Sequence, residues 1–385
     1  LHGFGEETQA GSYPGIPRIG YKSAHSTERG DLVMKKQDLL LIMIAISGEL
    51  PVRLAGRVVS SDSYAAALIT SLKQREYISV RKGGGCRGYV LRTKGKRYLL
   101  ENYQADTAFF LEGASETSHV KSELRKRERL HRMSEVWVFF YKTGVCVFQS
   151  QKPAMGGGIG SSGVEAYYGS LEYKNGNDAI KGSRACGVLL SGISAYVVYN
   201  TREQRMKWAK KMECSMRVWT EKLLLRSGSF KGADALILGE SPSFLIDLLE
   251  SDGGVKKNLF QVDDVYDRYY YVPMCEEAGV QIALLCDTDK RRRLYRFLEG
   301  VLSRKRDKEF SVCDGYNADG NPVYFCLELE MHKLSRIKQD AGWKQEGTVF
   351  CLDYQEETLQ NYFGEGMKIQ AILTKRLCEY LRQDA

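Results

Sequence analysis

Three consecutive glycines, Gly83-Gly84-Gly85, separate two short runs of alternating apolar residues, and this triplet constrains the first hundred residues more than any other feature. In REYISV, Ile78 and Val80 share one face. In CRGYVL, Tyr89 and Leu91 can face them. A glycine turn between two such runs predicts a tight β-hairpin. Three helical segments precede it: KKQDLLLIMIAIS, the shorter LPVRLAGRVVS, and SYAAALITSLKQR. Ser61 or Asp62 can cap the third. Its Ala65, Leu68, Ile69 and Leu72 recur at spacings of three and four, so they form one apolar face. KGKRYLLENY predicts a closing fourth helix.

Three helices, a two-stranded hairpin and a final helix are the order of a winged helix-turn-helix, here expected over residues 35–105. Such a unit lays the amino-terminal half of its third helix in the major groove of duplex DNA. Ser63, Tyr64, Ala67 and Ser71 lie off the apolar face and are the expected base-reading positions, with Lys73 two residues further on. Charge supports this placement. Between Lys35 and Ala105 there are 13 Lys and Arg against 5 Asp and Glu, an excess of 8 that equals the net +8 of the whole 385-residue chain. Arg81, Lys82 and Arg87 bracket the glycine turn, where a basic tip suits phosphate or minor-groove contact. A winged helix that docks protein instead of DNA is the alternative.

The remaining segments are less sharply marked. Residues 1–34, rich in Gly, Ser and Pro, are expected to be a disordered arm. A charged connecting helix is expected over 106–134. From 135 to 385, strand-like and helix-like segments alternate, which predicts a mixed-sheet α/β domain. Strands are expected at EAYYGSLEYKN, GVLLSGISAYVVYNT, GADALILGE, YDRYYYVPM, GVQIALLCD, PVYFCLELEM and GTVFCLDY. Helices are expected at Arg202–Arg226, PSFLIDLLES, KRRRLYRFLEGVLSRK and from Gln370 onward. The class is therefore α/β and multi-domain.

Candidate chemistry is sparse. Glu172-Tyr173-Lys174, read as a strand, puts an acid and an amine on one face. That is the arrangement by which a restriction-nuclease-like core holds Mg²⁺ and steadies the attacked phosphate, with Glu165 as the upstream acid. The alternative is a structural ion pair, and no Pro-Asp pair stands upstream. Asp263, Asp264 and Asp267 form an acidic run best read as loop acids paired with a neighbour such as Arg268. Gly156–Gly160 lacks the Gly-Lys-Ser/Thr continuation of a nucleotide loop. The five His are dispersed. The ten Cys include no CxxC, so buried free thiols are expected, with no metal site of their own. No apolar run approaches the ~18 residues needed to span a bilayer. Lys290–Phe297 and Ser303–Lys308 are strongly basic, a second possible nucleic-acid contact or a solvated face.

On SLEYK, SRACGVLLSGISAYVVYNTREQRMKW and DRYYYVPM, together with the order of parts, the chain resembles the replication-relaxation family of Gram-positive plasmids and integrative conjugative elements. The resemblance covers Lys35 to about Leu302. It implies a winged helix joined to a degenerate nuclease-like domain, in a cytoplasmic DNA-binding accessory of a mobile genetic element. Such a protein acts in replication, transfer or its regulation. The expected partners are double-stranded DNA, a second copy of the chain and other replication or transfer proteins, with no membrane and no cofactor. Mg²⁺ enters only if the chain is instead a DNA endonuclease. A ligand-responsive transcription regulator is the third possibility.

Overall fold

The computed structural model describes residues 34–112, 123–153, 164–174, 177–192, 194–225, 232–306, 312–341 and 346–382. Its described residues form a mixed α/β protein with fourteen α-helices and three β-sheets. The expected amino-terminal arm, apart from residue 34, lies outside the described residues, as do Gly156–Gly160.

The chain enters on α1 (Lys36–Ser47), whose LLLIMIAI run is buried on every side. A helix apolar all round must be enclosed. Around it stand α2 (Ala55–Val59), α4 (Thr93–Asn102), α5 (Gln104–Leu111) and α6 (Leu124–Lys142). Asp38 is the buried acid of α1, and the phenols of Tyr98 and Tyr103 both donate to its carboxylate, at 2.9 and 2.7 Å. Helix α3 (Asp62–Gln74) is capped by Ser61, whose hydroxyl accepts the backbone N–H of Tyr64. It buries Ala65, Ile69 and Leu72, three of the four residues of the expected face.

The hairpin pairs β2 (Ile78–Gly83) with β3 (Cys86–Leu91), in a register that opposes Ile78 to Leu91 and Val80 to Tyr89. Gly84 and Gly85 turn the chain with φ of 57° and 79°. Two consecutive positive φ values are what a two-residue hairpin turn requires, and glycine adopts them without strain. Strand β1 (Leu50–Pro51) pairs with β3, giving the sheet order β1-β3-β2.

The second sheet runs β4-β5-β6-β7-β8. Strands β4 (Ala166–Gly169), β5 (Gly187–Ser191) and β6 (Ser194–Arg202) form an antiparallel meander. Strands β7 (Ala233–Gly239) and β8 (Tyr269–Pro273) then add parallel to β6, after crossovers through α8 (Lys210–Leu225) and α9 (Phe244–Leu249). Both faces are covered, so alternate residues enter different cores. Tyr196 and Val198 pack towards α6, and Val197 and Tyr199 towards the opposite side. The third sheet joins the short β9 (Arg304–Lys305) and β10 (Gly315–Tyr316) to the parallel strands β11 (Pro322–Phe325), β12 (Gly347–Leu352) and β13 (Met367–Ile372). Its Tyr324, Val349 and Cys351 share the core beneath the second sheet. Val323, Phe325, Phe350 and Leu352 face the outer helices.

Several sequence expectations need correction. SLEYK does not continue its strand: Ser170–Lys174 is a short helix, α7. At Gly169 a Cβ would fall 2.4 Å from the Trp137 ring, and the Glu172 carboxylate accepts the Gly169 N–H at 2.7 Å, so the chain turns into a helix there. GVQIALLCD is α10 (Gly279–Cys286) and not a strand. Ile282 and Leu285 enter one core while Val280 and Leu284 enter another, and an apolar run buried on both sides carries no periodicity to separate helix from strand. The helix expected from Arg202 begins at Lys210, because Arg202 closes β6 with φ 54° and the Trp208 N–H is drawn to the Asn258 carbonyl. The final helix, α14 (Thr374–Arg382), starts after β13, which takes up Gln370.

Candidate nucleic-acid interface

Helix α3 turns its polar face outward. Ser63, Tyr64, Ala66, Ala67, Thr70 and Lys73 are exposed, and Ser71 is half-buried at the edge of that face. Tyr64 is an exposed large aromatic, at 44%. The ammonium of Lys36, at the start of α1, stands 5.3 Å from its ring centroid, and the same nitrogen donates to the Val59 carbonyl. Lys73 lies 5.8 Å over Tyr89 of the hairpin. Lys142, at the far end of α6, donates to the Ser60 hydroxyl in the turn before α3. The structure therefore brings cations from α1 and α6 to the amino-terminal end of the expected reading helix. Lys36 and Lys142 were missed in sequence because periodicity within one segment cannot report a neighbour from another.

The hairpin lies against α3 and presents Lys82, Gly83, Gly84, Gly85 and Arg87 to solvent. Arg81 is half-buried, and its Nη1 is enclosed without a hydrogen-bond partner. Of the three basic residues expected at the tip, Lys82 and Arg87 project freely and Arg81 lies lower on the strand.

The hairpin is held from behind by a residue of the segment expected as a charged connecting helix. Arg127 of α6 is 3% exposed. Its guanidinium pairs with the buried Glu49 through Nε at 2.9 Å and Nη2 at 2.6 Å. It also donates to the carbonyl of Gly83 at 2.8 Å, and at longer range to those of Arg81 and Cys86. His131 stands 2.9 Å from the same carboxylate, and the Ser134 hydroxyl donates to the Glu49 carbonyl. Burial opposes ionisation of Glu49, but hydrogen bonds from His131 and Arg127 outweigh it and hold the carboxyl down at about 2. Gly88 makes room for this acid: a Cβ there would fall 2.5 Å from Glu49 Cγ. Leu124 lies under the turn, where a Cβ on Gly84 would meet its Cδ1 at 2.8 Å.

A second buried acid, Glu135, ties this unit to the second sheet. Its carboxylate accepts from Asn200 Nδ2 and Arg202 Nε, each at 2.9 Å, and pairs with Arg53. Arg57 reaches the Met274 carbonyl at 2.9 Å.

The residues proposed for metal chemistry are otherwise engaged. Glu172 pairs with Lys152 at 2.7 Å, and that ammonium also lies over the rings of Trp137 and Tyr168. Burial pushes the Lys152 amine down from its usual value. Lys174 donates to the Ser183 and Ala185 carbonyls at 2.9 and 3.1 Å, and burial lowers it to about 8. The helical turn gives each its own internal partners, so the expected common strand face does not exist. At Glu165 the main chain accepts the Cys146 N–H at 2.9 Å. In the acidic run, Asp263 accepts from Trp208 and Tyr269, and Asp264 pairs with Lys210, not with Arg268 as expected. Among the described residues no helix is long and apolar enough to cross a membrane. No family model, no curated protein and no solved structure matches the chain.

Proposed function

We propose that residues 35–105 form a winged helix that binds double-stranded DNA, with α3 in the major groove and the β2–β3 hairpin on the flanking phosphates. The observation that carries this reading is the exposed polar face of α3, set beside a glycine-tipped hairpin whose Lys82 and Arg87 are free in solvent. Short Ser and Ala side chains let a backbone approach base edges closely, and Tyr64 can reach a thymine methyl or a phosphate. The β1-β3-β2 order supports the same reading. In line with the family resemblance, the chain is then a DNA-binding accessory of a mobile element, acting as a homodimer on paired half-sites.

The test is fluorescence anisotropy on labelled duplexes across a salt series. Replacing Lys82 and Arg87 by alanine should weaken binding alike on all sequences and flatten the salt slope by about one per lost phosphate contact. Tyr64→Ala should instead change the preference between sequences. A wild-type protein that ignores duplexes at low ionic strength would end this reading.

A nuclease-like ancestry for the second domain is supported by the order α6, β4-β5-β6 meander, α8, parallel β7. The meander strands AYYG, GVLLS and SAYVVYNTR contain no carboxylate, and Glu172 with Lys174 lies on α7. We therefore assign this domain a scaffold role. Plasmid incubated with Mg²⁺ or Mn²⁺ should stay intact; nicking that Glu172→Ala and Lys174→Ala both abolish would restore the enzyme reading.

A further inference from the structure

A cleft of about 360 Å³ opens where β8, the edge of the second sheet, meets α11 (Thr288–Glu299) and the segment after β11. Its size is within the usual range for a small-molecule site. Arg268 and Tyr270 line it from β8 and the residue before, and Arg291, Arg292 and Tyr295 line it from α11. Glu328 lies on the third side.

The arginines are not equivalent. Arg292 is paired on the surface with Asp289 at 2.8 Å. The Arg268 guanidinium makes one long hydrogen bond, to the Tyr270 phenol at 3.5 Å. Among the described residues, neither Arg268 nor Arg291 has a carboxylate within ion-pair distance. Two guanidinium groups from different elements line one cleft with no carboxylate in ion-pair contact, although Asp234, Glu328 and Glu330 act on them from further off, and such a pair of donors suits a tetrahedral anion. The acids nearby are held back. Glu328 accepts the Tyr295 phenol, and Glu330 is used by the backbone N–H groups of His332 and Lys333. Asp234 of β7 acts on both guanidinium groups, and burial raises its carboxyl to about 6, so it weakens as a counter-charge only as pH falls towards that value.

We propose that this cleft is a phosphate-binding site that takes a nucleotide, its phosphate between Arg268 and Arg291 and an amino or hydroxyl donor turned towards Glu328. The phosphate can come from a free mononucleotide or from a nucleic-acid strand. The inference does not depend on DNA binding by the amino-terminal unit.

Calorimetric titration of the full chain with pyrophosphate, ATP and a short single-stranded oligonucleotide tests it. ATP and pyrophosphate should bind wild type, and Arg268→Ala and Arg291→Ala should each weaken ATP about tenfold or more, the loss of one charge-assisted contact. The doubly substituted Lys82→Ala, Arg87→Ala protein should bind ATP as wild type does. In that background, displacement of ATP by the oligonucleotide assigns the site to a phosphodiester, and failure to displace it assigns the site to a free nucleotide; both support the cleft. Absence of binding by all three probes to folded wild type would overturn the proposal. So would wild-type ATP affinity in Arg268→Ala and Arg291→Ala proteins with unchanged circular dichroism.

Discussion

Glu49 shows how much one side chain can carry in this protein. Its carboxylate is buried, ionised, and shared between Arg127 and His131. Replacing it by alanine strands the Arg127 guanidinium and should cost about 3–5 kcal/mol in urea unfolding. Adding Arg127→Met should recover part of that loss, since it removes the stranded charge. The pH dependence has a definite sign. The folded carboxyl sits at about 2, below its value of 4.5 when exposed. The stability it contributes is therefore complete above pH 4.5 and is lost as pH falls towards 2. In acid titration, the gap between wild type and Glu49→Gln should narrow across that interval; a constant gap would argue against an ionised Glu49. None of this was legible in the sequence. Glu49 is one acid in a turn and Arg127 one cation in a charge run, and only the packing of α6 on the hairpin turns them into a pair.

At the scale of elements, legibility followed periodicity. The hairpin register, the Ser61 cap and three residues of the α3 face were readable because each is a local pattern with a physical cause: glycine at positive φ, a hydroxyl before a helix, apolar spacing of three and four. GVQIALLCD and SLEYK were misread because their conformations are set from outside. The first is buried on two sides; the second leaves its strand at Gly169, which packs under the Trp137 ring and gives its N–H to the Glu172 carboxylate. The exposed positions of α3 could be named in advance, whereas Lys36, Lys142 and Arg127 arrive from other elements. A Gly88→Ala change tests the close fit behind the hairpin. With a Cβ 2.5 Å from Glu49 Cγ, it should cost about 1–3 kcal/mol in thermal or urea unfolding, far more than alanine at the exposed Thr70.

For the molecule as a whole, the decisive element is α6. Its first half holds the hairpin through Arg127, and its second half lays Trp137 and Phe140 on Tyr167 of the second sheet. Glu135 sits between, linking Arg53 of the first unit to Asn200 and Arg202 of β6. Glu135→Ala should loosen the two halves. Because Arg53 and Arg202 retain access to water, the expected loss is about 1–3 kcal/mol, smaller than for Glu49. Hydrogen exchange should then show α2 and α3 opening before the central strands, where wild type opens them together. Synchronous opening in the variant would mean that the apolar contacts of α6 suffice alone.

A loop that has already been brought to rest has little motion left to surrender on meeting a ligand. The tip from Gly83 to Gly85 is fastened by the Arg127–Gly83 bond and seated on Leu124, so its ordering cost falls during folding and not at the encounter. Calorimetry of the proposed duplex association should accordingly record only a modest heat-capacity decrement, set by surface burial and not by a disorder-to-order transition. Cutting Leu124 back to alanine should enlarge that decrement and slow capture, while leaving the charge that draws the partner in untouched.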